Sequence, residues 1–202
     1  MKTRAVLFDV YGTLIELQRQ TGAYKDLIRR GSVSPAAFAR EVMCRPIDLA
    51  EAAELFSVQM SQSELTTLEQ HLREEIASAR LYPEVLSVLT TLRIRGYRIG
   101  LCSNLAMPYI GPAIRLIGSA IDSAIWSCEV CVMKPSPRIY ALAAEALEVD
   151  PTTMLMVGDS YRADVAGARR AGCKALHLDR RRRSRGDLTS LSELLPRLPP
   201  LP

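Results

Sequence analysis

The run from Arg4 to Val10 is almost continuously apolar over the length of a strand and breaks at once into Tyr11-Gly12-Thr13. A strand without alternating polar positions has no solvent face, so it must be buried on both sides, as an inner strand of a parallel sheet covered by helices is. The later sequence supplies those helices. From residue 81 onward, helical and strand-like stretches alternate. A helix from Pro83 to Arg95 is closed by Gly96 and followed by a strand from Tyr97 to Cys102. A helix from Met107 to Ile117 precedes Gly118 and the short apolar run from Ile121 to Trp126. A helix from Ser136 to Leu147, a strand from Thr153 to Val157, a helix from Tyr161 to Ala171 closed by Gly172, and a strand from Lys174 to Leu178 complete the series. The repetition predicts an α/β fold built on a doubly wound parallel sheet, whose ligand site lies at the carboxyl ends of the strands.

Residues 16–80 follow a different rhythm. Tyr24, Leu27 and Ile28, then Ser34-Pro35 opening Phe38 and Val42, then Leu65, Leu68, Leu72 and Ile76 recur at helical spacing, and no strand is expected among them. The block therefore reads as a helical insertion, residues 16–80, in a core made of 1–15 and 81–202. Phe38, Phe56, Leu55 and Leu68 are expected to be its internal packing. A length of 202 residues suits one domain with a small insertion, and 48% hydrophobic with 24% charged residues excludes disordered and collagen-like classes. No apolar run approaches the roughly 18–20 residues of a spanning helix, so a cytoplasmic chain without membrane contact is expected. Five cysteines without regular spacing point to reduced thiols. Cys128 and Cys131 lack two further zinc ligands nearby, since His71 and His177 are distant in sequence. The net charge of +4 owes much to Arg180, Arg181, Arg182, Arg183 and Arg185, expected as a solvated loop with no nucleic-acid partner. Leu198 to Pro202 reads as a disordered proline-rich tail. Monomer and homodimer are both open.

At the predicted strand ends stand Asp9 with Gly12 and Thr13, then Ser103 with Asn104, then Gly158, Asp159, Ser160 and Asp164; Lys134 precedes a helix. A carboxylate beside a glycine turn, with hydroxyl and amide donors and a lysine, suits covalent catalysis on an anionic substrate. Asp9 would attack, Thr13 or Ser103 with backbone N–H groups would hold the anion, and Lys134 would offset charge. Taken singly, the same residues also read as turn and helix-cap residues.

Taken together they resemble the four motifs of the haloacid dehalogenase superfamily. FDVYGTL from Phe8 to Leu14 resembles the first motif with Asp9 as nucleophile, Ser103-Asn104 the second, Lys134 in KPSPRIY the third, and VGDSYRADVAGARRAG from Val157 to Gly172 the fourth. The resemblance implies a Rossmann-like core and makes residues 16–80 a small helical cap.

The motifs pull in two directions. Family phosphatases usually carry a second aspartate two residues after the nucleophile as general acid, worth typically 10²–10⁴-fold; here the position is Tyr11. The family's 2-haloacid dehalogenases carry Tyr there, and a tyrosine at the position of Tyr140. Their fourth motif, however, has serine and asparagine near its start, whereas this chain has Asp159 followed by Asp164, the phosphatase pattern. Asp159 close to Asp9 would raise one carboxylate's pKa unless a cation intervened. By resemblance Mg2+ is that cation, held by the Asp9 carboxylate, the Tyr11 carbonyl and the Asp159 carboxylate. Asp164 would bind a metal-coordinated water or orient Lys134. The expectation is a Mg2+-dependent phosphohydrolase on a small anionic substrate. The alternatives are a metal-free 2-haloacid dehalogenase, with Arg19, Arg29, Arg30 or Arg40 receiving carboxylate or halide, and a binding protein with little turnover.

Overall fold

In chain order the strands are β1 (Ala5–Phe8), β2 (Ile15–Leu17), β3 (Ala79–Leu81), β4 (Arg98–Ser103), β5 (Ser123–Trp126), β6 (Met154–Gly158) and β7 (Lys174–His177), in a computed structural model that describes residues 2–31, 33–181 and 186–202. Five of them form one parallel sheet in the order β5-β4-β1-β6-β7. All four residues of β1 are buried. Val6 and Phe8 enter one core with Ile99, Leu101 and Val157; Ala5 and Leu7 enter the other with Ile139, Met154 and Met156. That division follows from the alternation of side chains along a strand, and it is why the run at Arg4–Val10 carries no polar break before Asp9. Helices α5 (Val85–Ile94) and α6 (Ile110–Ile117) cover the first face; after the one-turn α7 (Ser127–Val130), α8 (Pro137–Ala146) with α9 (Gly167–Arg170) covers the second. The doubly wound parallel sheet is thus present as expected.

Register sets the site. Phe8 lies opposite Leu101 of β4 and Val157 of β6, so the residues after all three strands emerge along one edge.

The region read as strand-free contains strand at both ends. β2 and β3 pair antiparallel, Ile15 opposite Leu81 and Leu17 opposite Ala79, which closes the helical block at its base. Three residues each were too short for a period-2 signal, and their pairing partner is distant in sequence. Between them lie α1 (Ala23–Arg30), α2 (Pro35–Val42), α3 (Leu49–Leu55) and α4 (Gln62–Ala77). Reciprocal capping boxes, Asp48 with Glu51 and Ser61 with Glu64, start α3 and α4. Phe38 and Leu68 are buried inside the block and Phe56 half-buried, but Leu55 is 42% exposed. It lies off the helical face that Leu49, Ala52 and Ala53 turn inward.

The helix expected over 161–171 opens as a π-helical turn, Tyr161–Ala166, before α9, and Asp164 sits inside it. The tail is ordered rather than free. Leu198 is buried, the Tyr97 hydroxyl donates to the Pro199 carbonyl at 2.8 Å, Arg95 Nη1 donates to Leu198 O at 2.8 Å, and the Leu201 N–H donates to Arg95 O at 2.8 Å. Prolines offer carbonyls but no N–H, and donors from the core meet them. Arg180 also departs from the solvated-loop expectation, as described below; Arg182, Arg183 and Arg185 lie outside the described residues. All five cysteines are free thiols, with Cys102, Cys128 and Cys173 buried. Among the described residues no helix is long and apolar enough to cross a membrane.

Candidate active site

β1 ends in a tight turn. The N–H groups of Thr13, Leu14 and Ile15 all donate to the Val10 carbonyl, at 3.2, 2.7 and 2.9 Å. Gly12 adopts φ +90°, and the Asp159 carboxylate occupies the space that a Cβ on Gly12 would need. A glycine is required there on both counts.

The turn presents Asp9, 7% exposed. Its Oδ1 accepts from Lys134 Nζ at 2.7 Å and from Ser103 Oγ at 3.1 Å, and its Oδ2 faces the Thr13 hydroxyl at 3.4 Å. Lys134, 2% exposed, spends its other two donors on Asp164 Oδ1 at 2.6 Å and the Cys102 carbonyl at 2.7 Å. Burial alone would lower the lysine's pKa, but the Asp9 and Asp164 carboxylates drive it up, so the ammonium is fixed in its charged form. Asp164 shows the reverse balance: burial pushes its carboxyl up to about 6 against the pull of Lys134. Its Oδ2 accepts the Ser160 N–H at 2.9 Å. The Ser160 side chain in turn caps the π-helical turn through the Ala163 N–H, so the cap reading of this segment holds alongside the site reading.

Asn104 does not face Asp9. Its Oδ1 accepts the Lys134 N–H at 2.7 Å and its Nδ2 donates to the Lys134 carbonyl at 2.8 Å, which clamps the lysine's backbone in place. Thr13 and Ser103, by contrast, touch the carboxylate as expected. Tyr140 is fully buried and donates to the Ala163 carbonyl, so it supports the π-helical turn from below.

Carboxylate oxygens of Asp9, Asp159 and Asp164 lie within 4.8 Å of one another. Asp159 remains open to solvent at this edge. Desolvation and then the charge of Asp9 raise its pKa, the conflict expected of two neighbouring carboxylates. These three residues are the described group able to hold a metal ion.

Tyr11 and Leu17 line both of two neighbouring cavities. One, of about 470 Å³, is of mixed polarity and is lined by Gly12, Tyr82, Asp159, His177, Arg180 and Arg181. The other, of about 270 Å³, is mostly apolar and is lined by Ile28, Phe38, Asn104, Leu105 and Tyr109. The Tyr11 hydroxyl donates to the Tyr109 carbonyl at 2.8 Å, and burial pushes its pKa up. Its proton is therefore committed and hard to release.

None of the four arginines expected to receive an anion lines either cavity. Arg19 pairs with Glu74 at 2.7 Å, Arg29 with Asp26 at 2.9 Å and Arg30 with Glu64 at 2.7 Å. The sequence reading missed Arg180. Its Nη2 donates to the Thr13 carbonyl at 2.7 Å, its Nη1 pairs with Glu84 at 2.7 Å, and its guanidinium lies 3.7 Å over the Tyr82 ring. It clamps the turn that carries Asp9. Its place just beyond the carboxyl end of β7 was the available signal, masked by the run of like charges around it.

The family model described as haloacid dehalogenase-like hydrolase matches residues 3–172. Among curated proteins, (S)-2-haloacid dehalogenase 1 of Pseudomonas sp. strain CBS-3 is 26% identical over 95% of this chain and 94% of its own length. N-acetylmuramic acid 6-phosphate phosphatase of Pseudomonas putida is 28% identical over 86% of this chain and 82% of its own. The crystal structure of an HAD phosphatase from Thermococcus onnurineus superposes with a TM-score of 0.66 at 28% identity, covering 95% of this chain and 96% of that one.

Proposed function

We propose, from the premise that this chain belongs to the haloacid dehalogenase-like hydrolase family, that it is a Mg2+-dependent phosphohydrolase working through an aspartyl-phosphate on Asp9. The carrying observation is electrostatic: three carboxylates meet within 4.8 Å and a single ammonium, Lys134, faces two of them. The donors are hard oxygens, which suit Mg2+. Asp9, Asp159 and the Tyr11 carbonyl would hold the ion. When bound it supplies charge neutralisation for the carboxylates and for a phosphoryl group.

The chain's own residues do the rest. Lys134 and Ser103 hold Asp9 Oδ1, while Oδ2 has only the long Thr13 contact and so keeps the more available lone pairs. Attack on phosphorus forms the acyl phosphate and breaks the bond to the leaving oxygen; water then restores Asp9 and releases inorganic phosphate. Asp164 orients Lys134 rather than binding water. The Tyr11 proton, bound to the Tyr109 carbonyl, is not offered to the leaving group, which favours acyl and aryl phosphates. Residues 16–80 serve as a cap over a core of 1–15 and 81–202, and the apolar cavity beneath it receives the leaving group of a small anionic substrate.

A second reading, metal-free 2-haloacid dehalogenation, draws support from Tyr11 and from the dehalogenase relative. Against it, the four arginines expected to receive a haloacid carboxylate, Arg19, Arg29, Arg30 and Arg40, stand outside the apolar cavity.

The test is phosphate release from an aryl phosphate with and without Mg2+, run beside halide release from 2-chloropropionate. Mg2+-dependent phosphate release that Asp9→Asn abolishes is the expected result. Metal-independent halide release would replace the proposal with the dehalogenase, and silence in both would leave the substrate unknown and strengthen the binding-protein reading.

A further inference from the structure

Glu75 of α4 is a buried carboxylate outside the catalytic cluster, 7% exposed. Its Oε2 accepts the Thr21 N–H at 2.7 Å, the Thr21 hydroxyl at 3.0 Å and the Gly22 N–H at 3.1 Å, all where the chain enters α1. Its Oε1 accepts the Tyr109 hydroxyl at 2.7 Å. Tyr109 belongs to the other side: it closes the short helical turn Met107–Tyr109 that follows β4, the strand that ends in Ser103. The same tyrosine accepts, on its carbonyl, the Tyr11 hydroxyl from the nucleophile turn. Its ring stands edge-on to Tyr11 at 5.4 Å and 6.4 Å from Tyr24 of α1. Tyr109 thus bonds Tyr11 through its carbonyl and Glu75 through its hydroxyl.

We infer that Tyr109 is a positioning residue that couples the helical block to the nucleophile turn, holding Glu75 with its hydroxyl and Tyr11 with its carbonyl. This rests on the reading of residues 16–80 as a cap. A phenylalanine would satisfy the packing at position 109; the hydroxyl matters because it meets a buried carboxylate, where a hydrogen bond counts for more than it does in water. Tyr11 and Tyr109 both line the 270 Å³ cavity, so the arrangement that seats the block also sets the wall against which a leaving group rests. Tyr11 then stands where a general acid is usual because this chain uses that position to register the block.

Tyr109→Phe keeps both ring contacts and the carbonyl and deletes only the bond to Glu75. On whichever substrate the enzyme turns over, it should raise KM about tenfold and change kcat by less than about threefold. A loss confined to kcat would place Tyr109 in the chemistry and overturn the inference. The independent readout is a double-mutant cycle between Tyr11→Phe and Glu75→Gln on urea unfolding of the whole chain, which needs no substrate. Sites joined through a shared partner deviate from additivity, here by at least about fivefold in the unfolding equilibrium constant. Additivity within about twofold would show that Tyr109 does not link them. Silence in both activity assays refutes the phosphohydrolase alone, and the unfolding cycle still decides the coupling.

Discussion

Asp164→Asn removes a charge and leaves every atom position filled, and the structure says which bond must fail. Asp164 Oδ1 accepts from Lys134 Nζ at 2.6 Å and Oδ2 accepts the Ser160 N–H at 2.9 Å, so both oxygens face donors. An asparagine has one acceptor and one NH2 group. Whichever way the amide turns, a donor meets a donor, and the charge-assisted bond to Lys134 is weakened in either orientation. Loss of a hydrogen bond to a charged group costs about 1.5–3 kcal/mol. Breaking a buried pair costs about 3–5 kcal/mol when the remaining charge has no partner. Lys134 keeps Asp9 and the Cys102 carbonyl, so the lower end of that range applies, about 3 kcal/mol. For a chain of this length that lowers Tm by about 6–12 °C. The ammonium, held by two anchors instead of three, should also misplace Asp9 enough to cut kcat/KM about 10²-fold. Thermal unfolding by circular dichroism at pH 8, where a carboxyl pushed up to about 6 is ionised, measures the first quantity and steady-state kinetics the second. A Tm within about 2 °C of the parent with unaltered kinetics would refute the reasoning, because Lys134 would then hold its place without Asp164.

Leu198→Ala should destabilise the chain by about 2–3 kcal/mol in urea unfolding, since Leu198 is 5% exposed and part of the core; a change under about 0.5 kcal/mol would mean that the tail is not docked in solution. Acid titration should expose Glu75. Burial works to raise its carboxyl, but the Tyr109 hydroxyl and the Gly22 and Thr21 N–H groups hold it below the usual carboxylate range. A depressed folded pKa means that its stabilisation is complete above the unfolded value near ~4.3 and is lost as pH falls through the folded one. The stability gap between the parent and Glu75→Gln, measured by unfolding from pH 7 down to the acid limit, should therefore be constant at first and then close; a gap independent of pH would refute the assignment.

Local sequence was informative wherever one residue's environment follows from its immediate neighbours. The unbroken apolar run before Asp9 required burial on both faces, and β1 lies between β4 and β6. Gly12, Thr13, Ser103 and Lys134 were identified because each stands at a strand end or before a helix, and Asp164 because it follows the end of β6 by a few residues; the register brings the ends of β1, β4 and β6 to one edge. The strands β2 and β3 were illegible because three-residue strands carry no period and their pairing spans the whole helical block. Leu55 failed because a list of apolar residues does not say which helical face turns inward.

Side-chain roles that depend on a distant partner were settled only by the tertiary fold. Asn104 is read from its neighbours as a strand-end site residue beside Ser103, yet it clamps the backbone of Lys134, thirty residues on. Arg180 is one of a run of like charges in sequence, yet its guanidinium lies on the turn after Asp9, because β7 ends beside that turn. The tail looks disordered until Arg95 and Tyr97 supply the donors its prolines lack. The sequence by itself determined the α/β layering and the chemistry available at the strand ends, since burial and strand polarity are local in the pattern. Which of those groups touch Asp9, and that Tyr11 turns its hydroxyl to Tyr109, depended on contacts between residues far apart in the chain, which no local pattern encodes.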